Sequence, residues 1–328
     1  MTSNKFVLNL VKGIELRFVS PLSPSHPRPF NFSAEEAQLV DQEVDNLLKK
    51  GAVIQVSACA RQFISNIFLR PKKNGKLRPI INLKGLNLHL EKIHFKMEHL
   101  PSILPLISQG AWMTSIDLTD AYFSLPIAKT SRKYLRFQWR DRLLEFQCLC
   151  FGLSLAPYYF TKVMKPVFSQ LRKEGICCTF YLDDSLYLSR SYNEAKAHTQ
   201  RAITLLESLG FTVNREKSNL EPTVEITHLG FKINSVSQII SLPDEKVEKI
   251  LISCNELLTA NRITIRQLAQ TIGLIVSSFM AVKQGQLHYR SLEIHKTRSL
   301  QTIGSFDALI TLDPPSRQEL LWWKTHIK

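Results

Sequence analysis

The fold is decided by residues 177–188, CCTFYLDDSLYL, in which two adjacent carboxylates stand in the middle of apolar and β-prone residues. An ionised Asp that is buried without a partner is costly, so such groups are usually paired, hydrogen-bonded or bound to metal. The pattern predicts a strand–turn–strand hairpin with Asp183 and Asp184 at its tip. Taken by itself, a polar tip on an exposed turn is the alternative interpretation.

A second apolar run, residues 112–117 (WMTSID), ends in an acid about sixty residues earlier. If the two segments pair side by side, Asp117 and Asp183 converge on one point. Hard cations such as Mg²⁺ take oxygen ligands, and a pair of them supports phosphoryl or nucleotidyl transfer. The two segments together therefore predict a site for two Mg²⁺ ions.

The composition favours a polyanionic partner. The chain has 328 residues, and 42 Lys and Arg outnumber 28 Asp and Glu, which gives a formal charge of +14. An excess of this size indicates nucleic acid first and an anionic membrane second, with an ordinary basic protein as the alternative. No run has the length of a membrane span or the pattern of a signal peptide. We therefore expect an intracellular protein of the cytoplasm or nucleus, neither secreted nor embedded in a membrane.

The six cysteines form no C-x-x-C pair, which predicts buried, reduced thiols. Three capping boxes predict helix starts, at Ser33 with Glu36, Ser191 with Glu194, and Thr264 with Gln267. The residues with a strand-like pattern are 51–56, 63–69, 79–83, 134–139, 143–147 and 226–233. Asn74-Gly75 between two such runs predicts a hairpin. Strands and helices interleave first and helices dominate later, which favours an α+β body followed by a helical subdomain.

Six short motifs now bring the chain close to one family. In chain order they are residues 76–87 (KLRPIINLKGLN), 117–124 (DLTDAYFS), 151–157 (FGLSLAP), 181–184 (YLDD), 209–217 (LGFTVNREK) and 228–231 (HLGF). In this order they resemble the fingers segment and motifs A to E of retroelement reverse transcriptases, most of all the DIRS-type and gypsy-type enzymes. The resemblance extends from about residue 60 to about residue 285.

The resemblance implies a right-hand polymerase of α+β class, with fingers, a palm built on an antiparallel sheet, and a helical thumb. The implied boundaries are an N-terminal extension at 1–19, fingers at 20–92 and 125–155, a palm at 93–124 and 156–236, a thumb at 237–311, and the start of a connection at 312–328. A piece of a longer polyprotein is expected, with an RNase H domain absent from this chain.

The same resemblance implies which residues carry the chemistry. The metal ligands would be Asp117, the Leu118 carbonyl and Asp183, with Asp184 supporting them. The ions would be two Mg²⁺, with Mn²⁺ as an alternative. Lys217 would protonate the leaving pyrophosphate, although a lysine between a helix and a strand is equally typical of an ordinary surface.

A nucleotide pocket for deoxynucleoside triphosphates is also implied. Its residues would be Lys72, Lys73, Lys76, Arg78, Asp120, Ala121, Tyr122, Phe151 and Gly152. Tyr122 would lie under the sugar and exclude a ribose 2′-hydroxyl, or would be a core aromatic paired with Phe123. Asp120 would be a helix N-cap or would reach the triphosphate through water, and the basic tip could equally be a solvated turn.

An RNA or DNA primer–template is the implied polymer, in contact with Tyr181, Leu182, Leu229, Gly230, Gln270 and Gly273. Core packing explains Gly273 almost as well. Cys150 and Leu155 depart from the usual motif B, where Pro, and Asn or Ser, are common. The sequence leaves the oligomeric state open.

Two rival functions remain at this point. One is an RNA-templated RNA polymerase of related palm fold, against which Tyr122 argues. The other is a degenerate retroelement fragment that binds nucleic acid without turnover. A zinc site at His94, Glu98 and His99 is rejected, because the spacing matches neither metalloprotease arrangement.

Overall fold

A computed structural model describes residues 2–22, 31–71 and 77–327. The chain forms two compact units. The first comprises residues 1–106 and 114–222, and the second comprises residues 107–113 and 223–328.

The first unit mixes helices and strands. Its helices are α1 (Lys5–Lys12), α2 (Ala34–Lys49), α3 (Lys84–Asn87), α4 (Leu100–Ile103), α5 (Lys129–Arg132), α6 (Ala156–Lys173) and α7 (Tyr192–Ser208), with 3₁₀ turns at Leu104–Leu106 and Ala121–Ser124. Its strands are β1 (Val53–Gln55), β2 (Ile64–Pro71), β3 (Leu77–Asn82), β4 (Trp112–Thr119), β5 (Arg136–Trp139), β6 (Arg142–Phe146), β7 (Cys177–Tyr181), β8 (Asp184–Ser189), β9 (Thr212–Val213) and β10 (Asn219–Thr223).

Two sheets organise this unit. The first has the strand order β1-β6-β5-β2-β3, in which β2 and β5 run parallel and the other pairs run antiparallel. The second has the order β10-β4-β8-β7, with β9 also paired to β4. Helix α6 packs against β7 and helix α7 against β8. The α6 residues Phe160, Met164 and Phe168 are buried, and their spacing of four places them on the one face that covers the sheet.

The second unit is helical apart from short strands. Its elements are β11 (Glu225–His228), β12 (Phe231–Asn234), β13 (Ile239–Ser241), α8 (Asp244–Thr259), β14 (Ile263–Thr264), α9 (Ile265–Val276), a 3₁₀ turn (Gly285–Leu287), α10 (Arg290–Ile303), β15 (Leu309–Ile310) and α11 (Pro314–His326). Strands β11-β12-β13 form one sheet and β14-β15 another. The α+β class predicted from the sequence is confirmed.

The predicted helix starts are largely correct. Ser33 with Glu36 and Thr264 with Gln267 both form complete capping boxes. At α7 only half of the box forms, because Ser191 accepts from the Glu194 N–H while the Glu194 carboxylate accepts from the Arg190 N–H instead. The carboxylate thus bonds one residue earlier than the pattern predicts.

The single strand predicted for residues 226–233 is wrong. Two antiparallel strands, β11 and β12, occupy this stretch, with His228 opposite Phe231 across a two-residue turn. Leu229 and Gly230 both have positive φ, 49° and 78°, which is the geometry of the tight hairpin turn. Sequence alone did not reveal the break because Leu rarely adopts this conformation.

The cysteines are unpaired in the structure, and not all of them are buried. All six cysteines are free, but Cys59 is exposed and Cys177 half-buried, so the expectation of burial holds for four of them. Cys59 lies within 3.3 Å of a guanidinium nitrogen of Arg136.

Within the described ranges, no helix combines the length and apolar character needed to cross a bilayer.

His228, at the end of β11, is a buried titratable group. It is 4% exposed, and its Nε2 atom lacks a hydrogen-bond partner in the described part of the chain. Burial lowers the pKa of this imidazole to about 4. The folded protein therefore holds His228 neutral, whereas the unfolded chain protonates it near its ordinary pKa of about 6.5.

We predict that His228 makes the protein sensitive to acid. Its effect is absent above about pH 6.5 and grows as the pH falls towards 4, because only the unfolded chain gains the proton. At pH 5 the loss is about 2 kcal/mol. Denaturant unfolding at pH 7 and pH 5 should show a smaller pH difference for His228→Gln than for the wild type. The exposed His94→Gln is the control, and an equal pH difference in all three proteins would contradict the prediction.

Candidate active site

The Asp pair lies in the β7–β8 hairpin. Tyr181 pairs with Asp184 across the hairpin, so Leu182 and Asp183 form the two-residue turn. Leu182 has a φ of 57°, a conformation that an L-residue with a bulky side chain rarely adopts. The tip is therefore a tight turn with Asp183 in it and Asp184 as the first residue of β8.

Strand β4 brings the third acid to this turn. The Leu118 N–H donates to the carbonyl of Asp183 at 3.0 Å, and the Ser185 hydroxyl donates to the Ile116 carbonyl at 3.1 Å. Hydrogen-bonded strands lie about 5 Å apart, so the backbones of Asp117 and Asp183 are one strand spacing from each other. The structure thus brings together the two acids that are far apart in sequence.

The carboxylates repel one another. Burial, Asp183 and Asp117 together raise the pKa of Asp184 to about 6. Burial also raises the pKa of Asp117, and Asp183 adds to that rise. Lys217 lowers both pKa values without cancelling the rise. The cluster therefore carries more negative charge than its neighbours neutralise.

The loop after β9 holds Asp117 on two sides. The Asn214 N–H donates to the Asp117 carbonyl at 2.8 Å, and the Asp117 N–H donates to the Ser218 hydroxyl at 3.0 Å. The Asn214 side chain also hydrogen-bonds the Asp117 carboxyl and accepts from the Lys217 N–H. Sequence reasoning gave no role to Asn214 or Ser218, although both lie in or beside the fifth motif.

Tyr122 lies in an aromatic cluster next to the acids. Its ring centroid is 5.1 Å from that of Phe151 and 5.4 Å from that of Phe160, and the residue is 8% exposed. Burial, with smaller contributions from Asp183 and Tyr181, raises the pKa of Tyr122 to about 12. The expected alternative pairing with Phe123 is not the arrangement seen, since Phe123 contacts Phe151 at 6.2 Å. Phe151 is 52% exposed and leaves one side of the cluster open to solvent.

Asp120 occupies the N-cap position of the 3₁₀ turn, but its side chain does not act as a cap. It precedes the 3₁₀ turn with a φ of 50°, but its side chain makes no capping hydrogen bond. Its carboxylate instead pairs with Lys50 at 2.7 Å. Lys50 is the C-cap residue that follows α2, and nothing in the motif pattern pointed to this pair.

The motif B loop is fastened to the segment after β3. The Asn87 side chain donates to the Gly152 carbonyl at 2.8 Å and accepts from the Ser154 N–H at 2.9 Å. Gly152 has a φ of 94°, and a Cβ atom there would lie 3.2 Å from the Ile81 carbonyl oxygen. The loop approaches β3 closely enough that only Gly fits without a shift.

The remaining predicted residues fall into three groups. Lys72, Lys73 and Lys76 lie outside the described residues, and Arg78 is described only through its backbone, which pairs with Arg70 in the β2–β3 hairpin. Leu229, Gly230, Gln270 and Gly273 belong to the second unit. A Cβ on Gly273 would meet nothing within 4 Å, so tight core packing is not the reason for this Gly. Cys150 and Leu155, the departures in motif B, are buried in the core.

Preformed metal clusters are absent from the described ranges. There, no group of three or more His, Cys, Asp or Glu side chains is arranged to hold an ion. The Glu98 carboxylate, which stands between His94 and His99 in sequence, forms an ion pair with Arg172 at 2.7 Å. Any ion at the Asp117–Asp183 turn would need backbone or substrate oxygens as well.

Solved structures with the same fold define the class of protein. A foamy viral protease-reverse transcriptase in complex with double-stranded DNA superposes with a TM-score of 0.74, at 21% identity, over 97% of this chain and 51% of that one. The foamy viral enzyme in complex with an RNA/DNA hybrid gives 0.70, at 20% identity, over 94% and 39%. The fold is therefore that of a right-hand polymerase.

Sequence comparison gives the family. The model of the reverse transcriptase (RNA-dependent DNA polymerase) family matches residues 70–233, half of the chain. The Transposon Tf2-3 and Tf2-4 polyproteins of Schizosaccharomyces pombe (strain 972 / ATCC 24843) are each 23% identical over 217 residues. The match covers 65% of this chain but only 16% of each polyprotein. This chain belongs to the reverse transcriptase family, as its motifs predicted.

We predict that Gly152→Ala destabilises the protein more than Gly175→Ala does. Both glycines have positive φ, 94° and 85°, so each variant costs about 1–2 kcal/mol of backbone strain. Only at Gly152 does the new Cβ approach another backbone, which adds about 1 kcal/mol or more. Urea denaturation measures the difference, and equal unfolding free energies for the two variants would refute the close approach.

Proposed function

We propose that this chain is the polymerase part of a retrotransposon reverse transcriptase, an RNA-directed DNA polymerase that adds deoxynucleotides to a primer 3′-hydroxyl. The observation that carries the proposal is the hydrogen bond from Leu118 N–H to the Asp183 carbonyl, which joins the acids of motifs A and C. The chain covers a small part of its polyprotein relatives, so activity on primer–template is proposed for this part alone. Its place of action would be inside the cell, in the cytoplasm or nucleus.

The donor atoms at the turn fit Mg²⁺. They are oxygens of Asp117, Asp183 and the Leu118 carbonyl, with Asp184 beside them, and oxygen ligands are those that Mg²⁺ prefers over softer metals. Burial first, and then the neighbouring carboxylates, raise the pKa values of Asp117 and Asp184, and a bound cation would favour their ionised forms. Two bound Mg²⁺ ions, or Mn²⁺ in their place, would supply activation of the primer hydroxyl and neutralisation of the triphosphate and leaving pyrophosphate.

The nucleotide pocket would be built around Tyr122. Its ring is held between Phe151 and Phe160, next to Asp183, and so could block a ribose 2′-hydroxyl. Gly152 would let the motif B backbone approach the nucleotide, while the Ala121 backbone would lie against the triphosphate. Asp120 would contribute to the pocket as part of its ion pair with Lys50, not as a free carboxylate.

Basic residues would bind the phosphates of the nucleotide and neutralise their charge. The triphosphate would be held by Arg78 and by the lysines at 72, 73 and 76. A guanidinium group forms bidentate hydrogen bonds with phosphate, whereas a lysine ammonium attracts it as a point charge. Lys217 is exposed next to the acids and would donate a proton to the departing pyrophosphate. This role is separate from its electrostatic effect on Asp117.

The primer–template would contact residues in each unit, taken separately. Tyr181 precedes the β7–β8 turn and Leu182 is its first residue. Leu229 and Gly230 form the β11–β12 turn, and Gln270 is exposed on α9. Gly273 on the same helix has open space at its Cβ position, where a nucleic acid backbone could approach. Complexes of the foamy viral enzyme with double-stranded DNA and with an RNA/DNA hybrid support a polynucleotide partner. The finger, palm and thumb boundaries predicted from sequence remain part of this proposal.

The first test is extension of a DNA primer on an RNA template with Mg²⁺. We predict that Asp183→Asn lowers the rate by on the order of 10³-fold or more, because a carboxylate of the ion-binding set is lost. The fold should survive, since the hydrogen bond to Leu118 uses only the Asp183 backbone. Asp141→Asn, at an exposed turn, is the matched control.

Each outcome of this test distinguishes the proposed function from one alternative. Full activity in Asp183→Asn would remove the metal assignment. An inactive wild-type protein that still binds primer–template would favour the degenerate-fragment alternative. Efficient RNA synthesis from ribonucleotides would favour an RNA polymerase.

The second test concerns sugar selection. We predict that Tyr122→Ala raises the ratio of ribonucleotide to deoxynucleotide incorporation by on the order of tenfold or more, because the space for a 2′-hydroxyl opens. Tyr122→Phe keeps the ring and should keep the wild-type ratio. The ratio of kcat/KM values in primer extension measures the effect, and unchanged selectivity in Tyr122→Ala would end this assignment.

A further inference from the structure

Strand β7 lies at one end of the catalytic sheet, in the order β10-β4-β8-β7. One side of β7 pairs with β8, and the other side has no neighbouring strand among the described residues. An open strand edge leaves N–H and C=O groups that need partners. On β7 two such groups are the Cys178 carbonyl and the Phe180 N–H.

An ion pair takes the place of the missing strand. The Glu98 carboxylate accepts from the Phe180 N–H at 3.0 Å, and the Arg172 Nε–H donates to the Cys178 carbonyl at 3.0 Å. Arg172 also binds both carboxylate oxygens of Glu98, at 2.7 and 2.9 Å. The two side chains thus form a closed ring of hydrogen bonds with the strand edge, which we call the Glu98–Arg172 bracket.

The bracket lies immediately before the catalytic turn. Phe180 precedes Tyr181, and the turn that follows holds Leu182 at a φ of 57°. A strained turn stays in place only when its surroundings fix it. The Phe180 ring is fixed by stacking on Phe168 of α6 at 4.4 Å, and the bracket fixes the backbone of the same residue.

We propose that Glu98 and Arg172 are positioning residues that set the location of the Asp183 carboxylate by holding the edge of β7. The proposal rests on the proposed polymerase function for its kinetic consequence but not for its structural one. A half-exposed ion pair contributes little to stability by itself. This pair instead restrains β7 through its two hydrogen bonds to the strand backbone, which a shift of β7 would break.

The chain contains a closely matched control pair. Arg201 binds both carboxylate oxygens of Glu174, at 2.8 Å each, in the same unit. The side chains of Arg172 and Glu98 are 40% and 28% exposed, and those of Arg201 and Glu174 are 41% and 28% exposed. Within the described part of the chain, the Arg201–Glu174 pair makes no hydrogen bond to the β7 backbone. Comparing the two pairs separates the loss of an ion pair from the loss of the bracket.

The experiment compares Glu98→Ala with Glu174→Ala in the full chain. Backbone hydrogen exchange of a peptide spanning residues 177–184 should become about tenfold faster in Glu98→Ala and stay at the wild-type rate in Glu174→Ala. In primer extension, Glu98→Ala should lower kcat about tenfold and raise the Mg²⁺ concentration for half-maximal rate, with little change in KM for the deoxynucleotide. Glu98→Gln, which keeps an acceptor for Phe180, should recover part of both effects.

The outcomes are distinct. Exchange and kinetics alike in Glu98→Ala and Glu174→Ala would overturn the inference. If Glu98→Ala does not fold, Glu98→Gln takes its place, and wild-type exchange together with a wild-type Mg²⁺ requirement in that variant would also overturn it. A wild-type protein without polymerase activity would refute the proposed function, while faster exchange in Glu98→Ala would still support the bracket.

Discussion

The backbone hydrogen bond from Leu118 N–H to the Asp183 carbonyl is the contact on which the candidate site depends. It fixes strand β4 beside the β7–β8 turn and so determines that Asp117 and Asp183 are neighbours. Two carboxylates one strand spacing apart would repel by about 3 kcal/mol at a surface-like dielectric constant. One backbone hydrogen bond contributes about 1 kcal/mol net, so this contact alone could not hold them.

The surrounding residues supply the remaining stabilisation. Ser185 bonds the Ile116 carbonyl, and Asn214 and Ser218 hold the backbone of Asp117 from the opposite side. Lys217 offsets part of the negative charge. The fold thus holds a group of mutually repelling carboxylates together, at a cost in stability. This is the compromise expected at functional sites.

Much of this arrangement could be predicted from the sequence, for identifiable reasons. The hairpin with Asp183 at its tip followed from acids inside a β-prone run, and the family followed from six motifs in order. Capping boxes gave the starts of α2 and α9 correctly. What failed were features that depend on the conformation of single residues or on distant partners. The Leu229–Gly230 turn was missed because Leu gives no signal for positive φ. The pairing of Asp120 with Lys50, and of Glu98 with Arg172, joins segments about seventy residues apart, which no local pattern reveals.

The central claim is that Asp117 and Asp183 bind the same divalent ions. The most direct measurement is a Mn²⁺ binding titration, by electron paramagnetic resonance of the free ion, with a chain-terminated primer–template and an incoming deoxynucleotide. Wild type should be compared with Asp117→Asn, Asp183→Asn and the double variant. We predict that each single change weakens binding of the same ions at least about tenfold, and that the double variant loses little more. Independent, additive losses, or unaltered binding in either single variant, would contradict it.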